Sequence, residues 1–395
     1  MVDLQSINFS GKKVLVRADL NVPIDEDGKI TDDNRIRQSV PTIKLILEKG
    51  GLPIVMSHLG RPGGKPEAKF SLKPVAKKLE ELLKTDIVLA PDCIGPKVTE
   101  IVKAQSAGQV VLLENLRFHK GEKENNEQFA RELASLADVY VNDAFAAAHR
   151  SHASIVGVPK FTKENAPGLL MGKEIEYFRK ALLKPERPLC VVLGGAKVST
   201  KLNALLNLAD KADKVVVGGA MANTFLAAQG FQMGRSLYEQ GLFPKVIELI
   251  GQLARRGCQL YLPVDFIVAP SLTSVGLERA VPAQEIPADL MALDIGPATS
   301  LLYQEALKTA QTIVWNGPMG AFEKEPFSKG TTDMIEYLAS SHGLTVVGGG
   351  DTDAAIHQME LGHKFDYIST GGGAFLALME GVPLPAFRAL GIELQ

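Results

Sequence analysis

Short β-branched runs alternate with amphipathic helical stretches along nearly the whole chain, and few architectures satisfy that rhythm. VLV at 14–16 gives way to TIKLILEKG at 42–50 and then to PIVM at 53–56. A strand, a helix and another strand repeated in this way are βαβ units, which place their strands in parallel sheets. The first half continues with DIVLA (86–90), QVVLL (109–113) and DVYVN (138–142). The second offers PLCVVL (188–193), KVVV (214–217), QLYLP (259–263), TIVWN (312–316), LTVV (344–347) and FDYIS (365–369).

At 395 residues the chain exceeds what one hydrophobic core usually organises, so two domains are expected. Between the halves, GLLMGKEIEYFRKALL (168–183) carries Leu, Met, Ile and Phe at helical spacing, and KPERP then breaks it. The expectation is an α/β fold: two Rossmann-like domains with parallel β-sheets flanked by helices, joined by a hinge helix. The boundaries fall at 1–167, 168–184 for the connecting helix, and 185 onward.

The 43 Lys and Arg against 45 Asp and Glu leave a formal charge of −2, so no global basicity points to nucleic acid or a membrane surface. The start, MVDLQSINFSGKK, lacks the apolar core of a secretory signal, and no apolar run is long enough to span a bilayer. A cytoplasmic monomer acting on small molecules is expected. Cys93, Cys190 and Cys258 are odd in number and widely separated, which predicts buried, reduced thiols.

In open parallel sheets ligands gather where strands end at their carboxyl termini. There the first half places Arg17, Asp19 and Asn21, then Arg35, His58 with Arg61, Arg117, and Arg150. Arginine's planar fork suits phosphate and carboxylate, while Asp19 and Asn21 can accept from hydroxyl groups. Each arginine taken singly is equally a partner for a surface carboxylate; together they point to a small hydroxylated anion carrying phosphate. His58 has no acidic neighbour in sequence to make it a base, and His149 and His152 shape the loop around Arg150.

The second half puts glycines at the same places: GGAK (194–197), GGAMAN (218–223), NGPMGAFE (316–323), GGGDTDAA (348–355) and STGGGAF (369–375). Such turns let helix-start amides approach phosphate oxygens, so a polyphosphate ligand is expected. Lys197 and Lys201 can neutralise phosphate, Asp351 can hold magnesium, and Glu323 can accept from a ribose hydroxyl. The bland readings are a solvated helix lysine for Lys201 and a helix N-cap for Asp351. Neither the P-loop pattern nor the protein-kinase signatures occur.

VLVRADLNVP (14–23), SHLGRP (57–62), LLENLRF (112–118), NDAFAAAHRSHAS (142–154), GGAKVSTKL (194–202), VWNGPMGAFE (314–323), GGGDT (348–352) and STGGGA (369–374) together resemble the phosphoglycerate kinase family. The resemblance implies that Asp19, Leu20, Asn21, Arg35, His58, Leu59, Gly60, Arg61, Arg117 and Arg150 bind the three-carbon phosphorylated substrate. It implies that Lys201, Gly218, Gly219, Leu293, Asn316, Glu323, Gly349, Gly350, Asp351 and Thr352 bind ATP or ADP, with Mg²⁺ on Asp351. Arg35, Lys197, Lys201, Gly371 and Gly372 would serve the transfer itself, and residues 376–395 would return to the first domain after a nucleotide domain at 185–375. Ser151 after Arg150 and Asn223 in the GGAMAN turn are small variations that put nothing essential in doubt.

Transfer between an acyl phosphate and a nucleotide needs no proton abstraction, because both competing oxygens are anionic at neutral pH. Alignment, charge stabilisation and closure of the hinge would carry it. A nucleotide-dependent dehydrogenase shares the α/β rhythm, yet no first-half strand precedes GxGxxG with an acidic residue about 20 positions on. A non-catalytic two-domain anion binder shares the arginines but gives no reason for Lys201 and Asp351 beside glycine turns.

Overall fold

A computed structural model describes residues 3–274 and 276–394. The chain divides into two compact units, Met1–Glu176 with Pro383–Gln395, and Tyr177–Val382. Among the described residues, the strands form two six-stranded sheets and one of three strands.

The first unit contains β1 (Lys13–Arg17), β2 (Leu52–Met56), β3 (Ile87–Leu89), β4 (Val110–Leu112), β5 (Val139–Asn142) and β6 (Glu164–Pro167), in the order β3-β4-β2-β1-β5-β6. All pairings are parallel. The strands read as unbroken apolar runs because both faces are covered. Val14, Val16, Val55 and Val141 enter one core, while Leu15, Ile54, Val111 and Tyr140 enter the other. Edge strand β6, with the sequence ENAP, carries no β-branched residue and was not anticipated. Its proline is tolerated at the end of an edge strand, where no inner ladder depends on its missing N–H.

The second unit contains β7 (Leu189–Leu193), β8 (Lys214–Val217), β9 (Gln259–Tyr261), β10 (Asp265–Ala269), β11 (Arg279–Pro282), β12 (Met291–Ile295), β13 (Thr312–Asn316), β14 (Leu344–Gly348) and β15 (Tyr367–Ile368). Its parallel sheet runs β15-β14-β13-β7-β8-β9. The antiparallel sheet β11-β10-β12 amends the expectation of parallel sheets alone. It builds a satellite core in which Phe266, Val268, Ile286 and Ala292 pack with Leu226 and Met233.

The predicted connecting helix runs from Leu169 to Phe178 and passes into a wider π-turn at Arg179–Leu183, and the division between units falls inside it. Its start is tied to the first unit, where Asp143 Oδ1 accepts from the amides of Leu170 (2.9 Å) and Met171 (3.2 Å). Within that unit the C-terminal residues lie beside the Arg150 loop: the Ala386 amide donates to the Ala148 carbonyl at 3.1 Å, and Phe387 faces Phe145 with ring centroids 6.4 Å apart.

Candidate active site

In the first unit the cationic residues after β1, β2, β4 and β5 converge. His58 feels Arg17, Arg117, Arg150 and Arg35, and Arg150 in turn feels Arg61 and Arg35. Asp19 is the buried counter-charge, and Arg35 Nη1 donates to its Oδ2 at 2.6 Å. Burial, then the Arg150 and Arg17 charges, bring Arg117 down to about 10. Its Nη1 donates to the Gly60 carbonyl at 2.6 Å. Asn21 Oδ1 accepts from the Gly60 amide at 2.8 Å, so the first two strand-end loops are joined through one residue. Gly60 has φ +60°, and a Cβ there would lie 2.4 Å from the Phe70 ring, so only glycine fits. Leu20 and Leu59 are buried in the core and hold this loop from beneath. Arg61 is exposed.

Arg17 departs from the expectation of an anion-facing arginine, being 1% exposed. Its Nε donates to Ser154 Oγ at 2.9 Å, and Nη2 lies 3.1 Å from His58 Nδ1. A guanidinium can only donate, so His58 Nδ1 is the acceptor and the ring proton sits on Nε2. Burial and the surrounding arginines hold the His58 pKa well below its ordinary value, so the ring is neutral. An acidic residue does adjoin it, since Asp19 Oδ1 is 4.0 Å from Nδ1. The charge of Arg17 is balanced at one remove: Ser154 donates through Oγ to Glu122 Oε1 at 2.7 Å and through its amide to Oε2 at 2.9 Å. Burial pushes the Glu122 pKa up, but bonds from His152 and Ser154 and the Arg17 charge overcome it, leaving a net lowering. Glu122→Gln removes that counter-charge. We expect a loss of about 2 kcal/mol, read as a lower urea midpoint with an unchanged slope.

In the second unit a cavity of ≈ 270 Å³ opens at the carboxyl ends of the strands. Gly219, Leu293, Pro318, Glu323 and Asp351 line it. Helices Gly219–Ala228, Gly350–Gln358 and Gly372–Met379 begin directly after β8, β14 and the Gly371 turn, so three positive helix ends lie on this edge. Gly372 approaches Gly349, a Cβ on the former falling 3.5 Å from the latter's Cα. Thr352 is fully buried, and its Oγ1 accepts from the Gly317 amide at 2.8 Å.

Lys201 is not a solvated helix residue. Its Nζ donates to the carbonyls of Gly194 (2.6 Å) and Asn316 (3.0 Å), and burial lowers its pKa to about 8 against the opposing pull of Asp351. Gly317, with φ +100°, permits this, since a Cβ there would lie 2.3 Å from that Nζ. Lys197 is exposed. Asp351 stands in the first turn of its helix, and Gly349 holds the N-cap position, which removes the capping reading for Asp351.

The family model described as phosphoglycerate kinase matches residues 4–382. The chain belongs to the phosphoglycerate kinase family. A phosphoglycerate kinase of Syntrophobacter fumaroxidans is 50% identical over 390 residues, spanning 99% of this chain and 98% of its own. One from Aquifex aeolicus is 51% identical over 382 residues, 97% of this chain and 96% of its own. The solved phosphoglycerate kinase of Coxiella burnetii superposes with a TM-score of 0.91 at 42% identity, covering 99% of this chain and 98% of that one.

As a phosphoglycerate kinase the protein is a phosphotransferase, moving a phosphoryl group reversibly between 1,3-bisphosphoglycerate and ADP to give 3-phosphoglycerate and ATP. The dehydrogenase and non-catalytic binder readings are thereby excluded. Within this family frame, sequence reasoning missed the buried pair Arg17 and Glu122. They are joined through Ser154, 137 positions from Arg17 and 32 from Glu122, so no local motif signals them.

Proposed function

We propose that the arginine-lined edge of the first unit binds the three-carbon phosphorylated substrate through Asp19, Asn21, Arg35, His58, Arg61, Arg117 and Arg150. The cavity of the second unit takes ADP or ATP: Gly218, Gly219 and Leu293 for the base, Glu323 for the ribose, and Lys197, Lys201 and residues 349–352 for the phosphates. The carrying observation is the charge layout at that cavity: the exposed carboxylates Glu323 and Asp351 belong to its lining, helix N-termini lie on the same sheet edge, and Lys201 bonds the Gly194 carbonyl next to the lining residue Gly195.

In the forward reaction the bond between the acyl oxygen and phosphorus breaks while a terminal ADP oxygen bonds to the same phosphorus from the opposite side. No proton moves. The neutral His58, with its proton on Nε2, is suited to donate to a substrate oxygen, not to abstract a proton. Arg35 and Lys201 hold charge on the transferring oxygens, with amides from Gly371 and Gly372 beside them. Asp351 fits Mg²⁺ as an exposed carboxylate lining the cavity, since that ion takes one or two carboxylates and completes its shell with phosphates and water. When bound, the ion neutralises nucleotide phosphate charge.

Because different units carry the two ligands, in-line transfer requires domain closure, which would register as a smaller radius of gyration only with both ligands present. Among the described residues no helix is long and apolar enough to cross a membrane. The protein acts as a cytoplasmic monomer in this proposal, and its three buried, unpaired thiols at Cys93, Cys190 and Cys258 fit a reducing compartment.

Purified protein mixed with 3-phosphoglycerate, ATP and Mg²⁺ should yield an acyl phosphate that hydroxylamine traps; absence of a hydroxamate rejects the proposal. Asp351→Ala should raise the Mg²⁺ concentration for half-maximal rate by about tenfold, the equivalent of ~1.4 kcal/mol of metal binding. A magnesium titration superimposable on the parent's removes Asp351 from the metal.

A further inference from the structure

Lys197 occupies a position that a lysine serves poorly. It is the N-cap of the short helical turn Val198–Thr200, which leads into the helix Leu202–Ala209. The first amides of such a turn point outward without partners, and an N-cap side chain ordinarily accepts from the second or third of them. An ammonium has no lone pair to offer, and the Lys197 side chain makes no capping bond. A residue chosen for its charge has displaced the one that would have closed the turn.

The missing acceptor comes from 40 positions away. Glu239 Oε2 accepts from the Ser199 amide, the second of the turn, at 2.9 Å. Burial pushes the Glu239 pKa up, but bonds from Ser199 and the Val198 amide, with the Lys197 charge, outweigh it and leave a net lowering. Glu239 is itself held. Its amide donates to Thr224 Oγ1 at 3.1 Å, and two residues earlier the Leu237 carbonyl accepts from Asn223 Nδ2 at 3.2 Å. Thr224 and Asn223 are both 1% exposed, on the helix Gly219–Ala228 that starts at the end of β8. The strap that carries Glu239 is thus fastened twice to a buried helix, and it transmits that rigidity to the turn after β7.

We propose that Glu239 is a positioning residue: its carboxylate caps from outside the turn that Lys197 cannot cap, and so fixes Lys197 beside Gly195 and Ala196 of the cavity lining. The inference rests on the reading of Lys197 as a lysine serving the transferring phosphoryl group. Lys201 does not need this support, because its own Nζ is tied to the Gly194 and Asn316 carbonyls. The effect of losing Glu239 should therefore pass through Lys197 alone. It should also run against simple electrostatics, since removing a carboxylate near phosphates would by charge alone favour the nucleotide.

The test is steady-state kinetics of the full chain with 3-phosphoglycerate and MgATP, on variants verified as folded. Glu239→Ala should lower kcat by about 5-fold to 10-fold with little change in KM for ATP, the size expected from loss of one cap that aligns a transition-state contact. Glu239→Gln keeps an oxygen for the Ser199 amide and should recover most of the rate. Equal losses in Gln and Ala would overturn the capping account. In a Lys197→Ala background, Glu239→Ala should cost nothing further, whereas additive losses would show that Glu239 acts elsewhere. A merely structural cap would lower the melting temperature and leave kcat at the parent value below it, which also defeats the inference. If Lys197→Ala alone keeps the parental kcat, the reading of Lys197 has failed and takes the inference with it.

Discussion

Replacing Arg35 by Ala lowers kcat by about 10²-fold to 10³-fold, roughly 3 to 4 kcal/mol, with a much smaller loss of 3-phosphoglycerate binding. The expectation follows from how Arg35 is held. It stands in the first turn of the helix Asn34–Glu48, anchored by one nitrogen to the buried Asp19, while its side chain remains 41% exposed. One arm of the fork is fixed and the rest is available to an incoming phosphoryl group. An interaction made mainly in the transition state lowers kcat and kcat/KM together. Arg35→Lys should restore part of the rate, because a point charge preserves attraction but cannot donate in two directions within one plane. Steady-state kinetics and direct substrate titration on folded variants make the measurement. A large rise in KM at parental kcat would mean that Arg35 binds ground state and transition state alike.

Lys201→Ala should lower kcat/KM for the nucleotide by about 10²-fold while the protein stays folded. Among the described residues the ammonium donates to the Gly194 and Asn316 carbonyls, which offer partial charge where a phosphate offers a full one. Burial of the ammonium, opposed by the Asp351 charge, is why its pKa stands at about 8, well under an ordinary lysine. Nucleotide phosphates favour the charged form and raise the pKa on binding. The sign follows: affinity from this group is complete below pH 8 and declines as pH rises towards the pKa of the bound state. Near or just above pH 8, ADP binding should therefore take up protons, visible by calorimetry in two buffers of different ionisation enthalpy. The uptake should vanish in Lys201→Ala, and its persistence there would assign the protons to another group.

The two parallel sheets were legible in sequence because strands covered on both faces are written as continuous β-branched runs, as in VLV and KVVV. The antiparallel sheet was not, because its strands are only partly covered. In β11, RAVP is mostly exposed, and in β12 buried and half-buried positions mix. The site was legible where chemistry sits next to a strand end, as with Asp19, His58 and the glycine turns. It was obscure where a role depends on distant partners. Nothing adjacent to Arg17 announces that Glu122 will neutralise it through Ser154, nor does GGAKVSTK show Lys201 turning back onto Gly194.

The two units differ in how the chain supplies them. The second is one unbroken stretch, Tyr177–Val382, whereas the first also draws on the segment from Pro383 on, whose Ala386 bonds the Ala148 carbonyl. On the ribosome that segment is made after every residue of the second unit. The unit begun first is thus finished last, inverting the usual order in which domains mature during synthesis. Until Phe387 is made, the surface around Phe145 that receives it remains open on the nascent chain, so synthesis of the segment after residue 382, and not of residue 176, sets when the first unit can be completed.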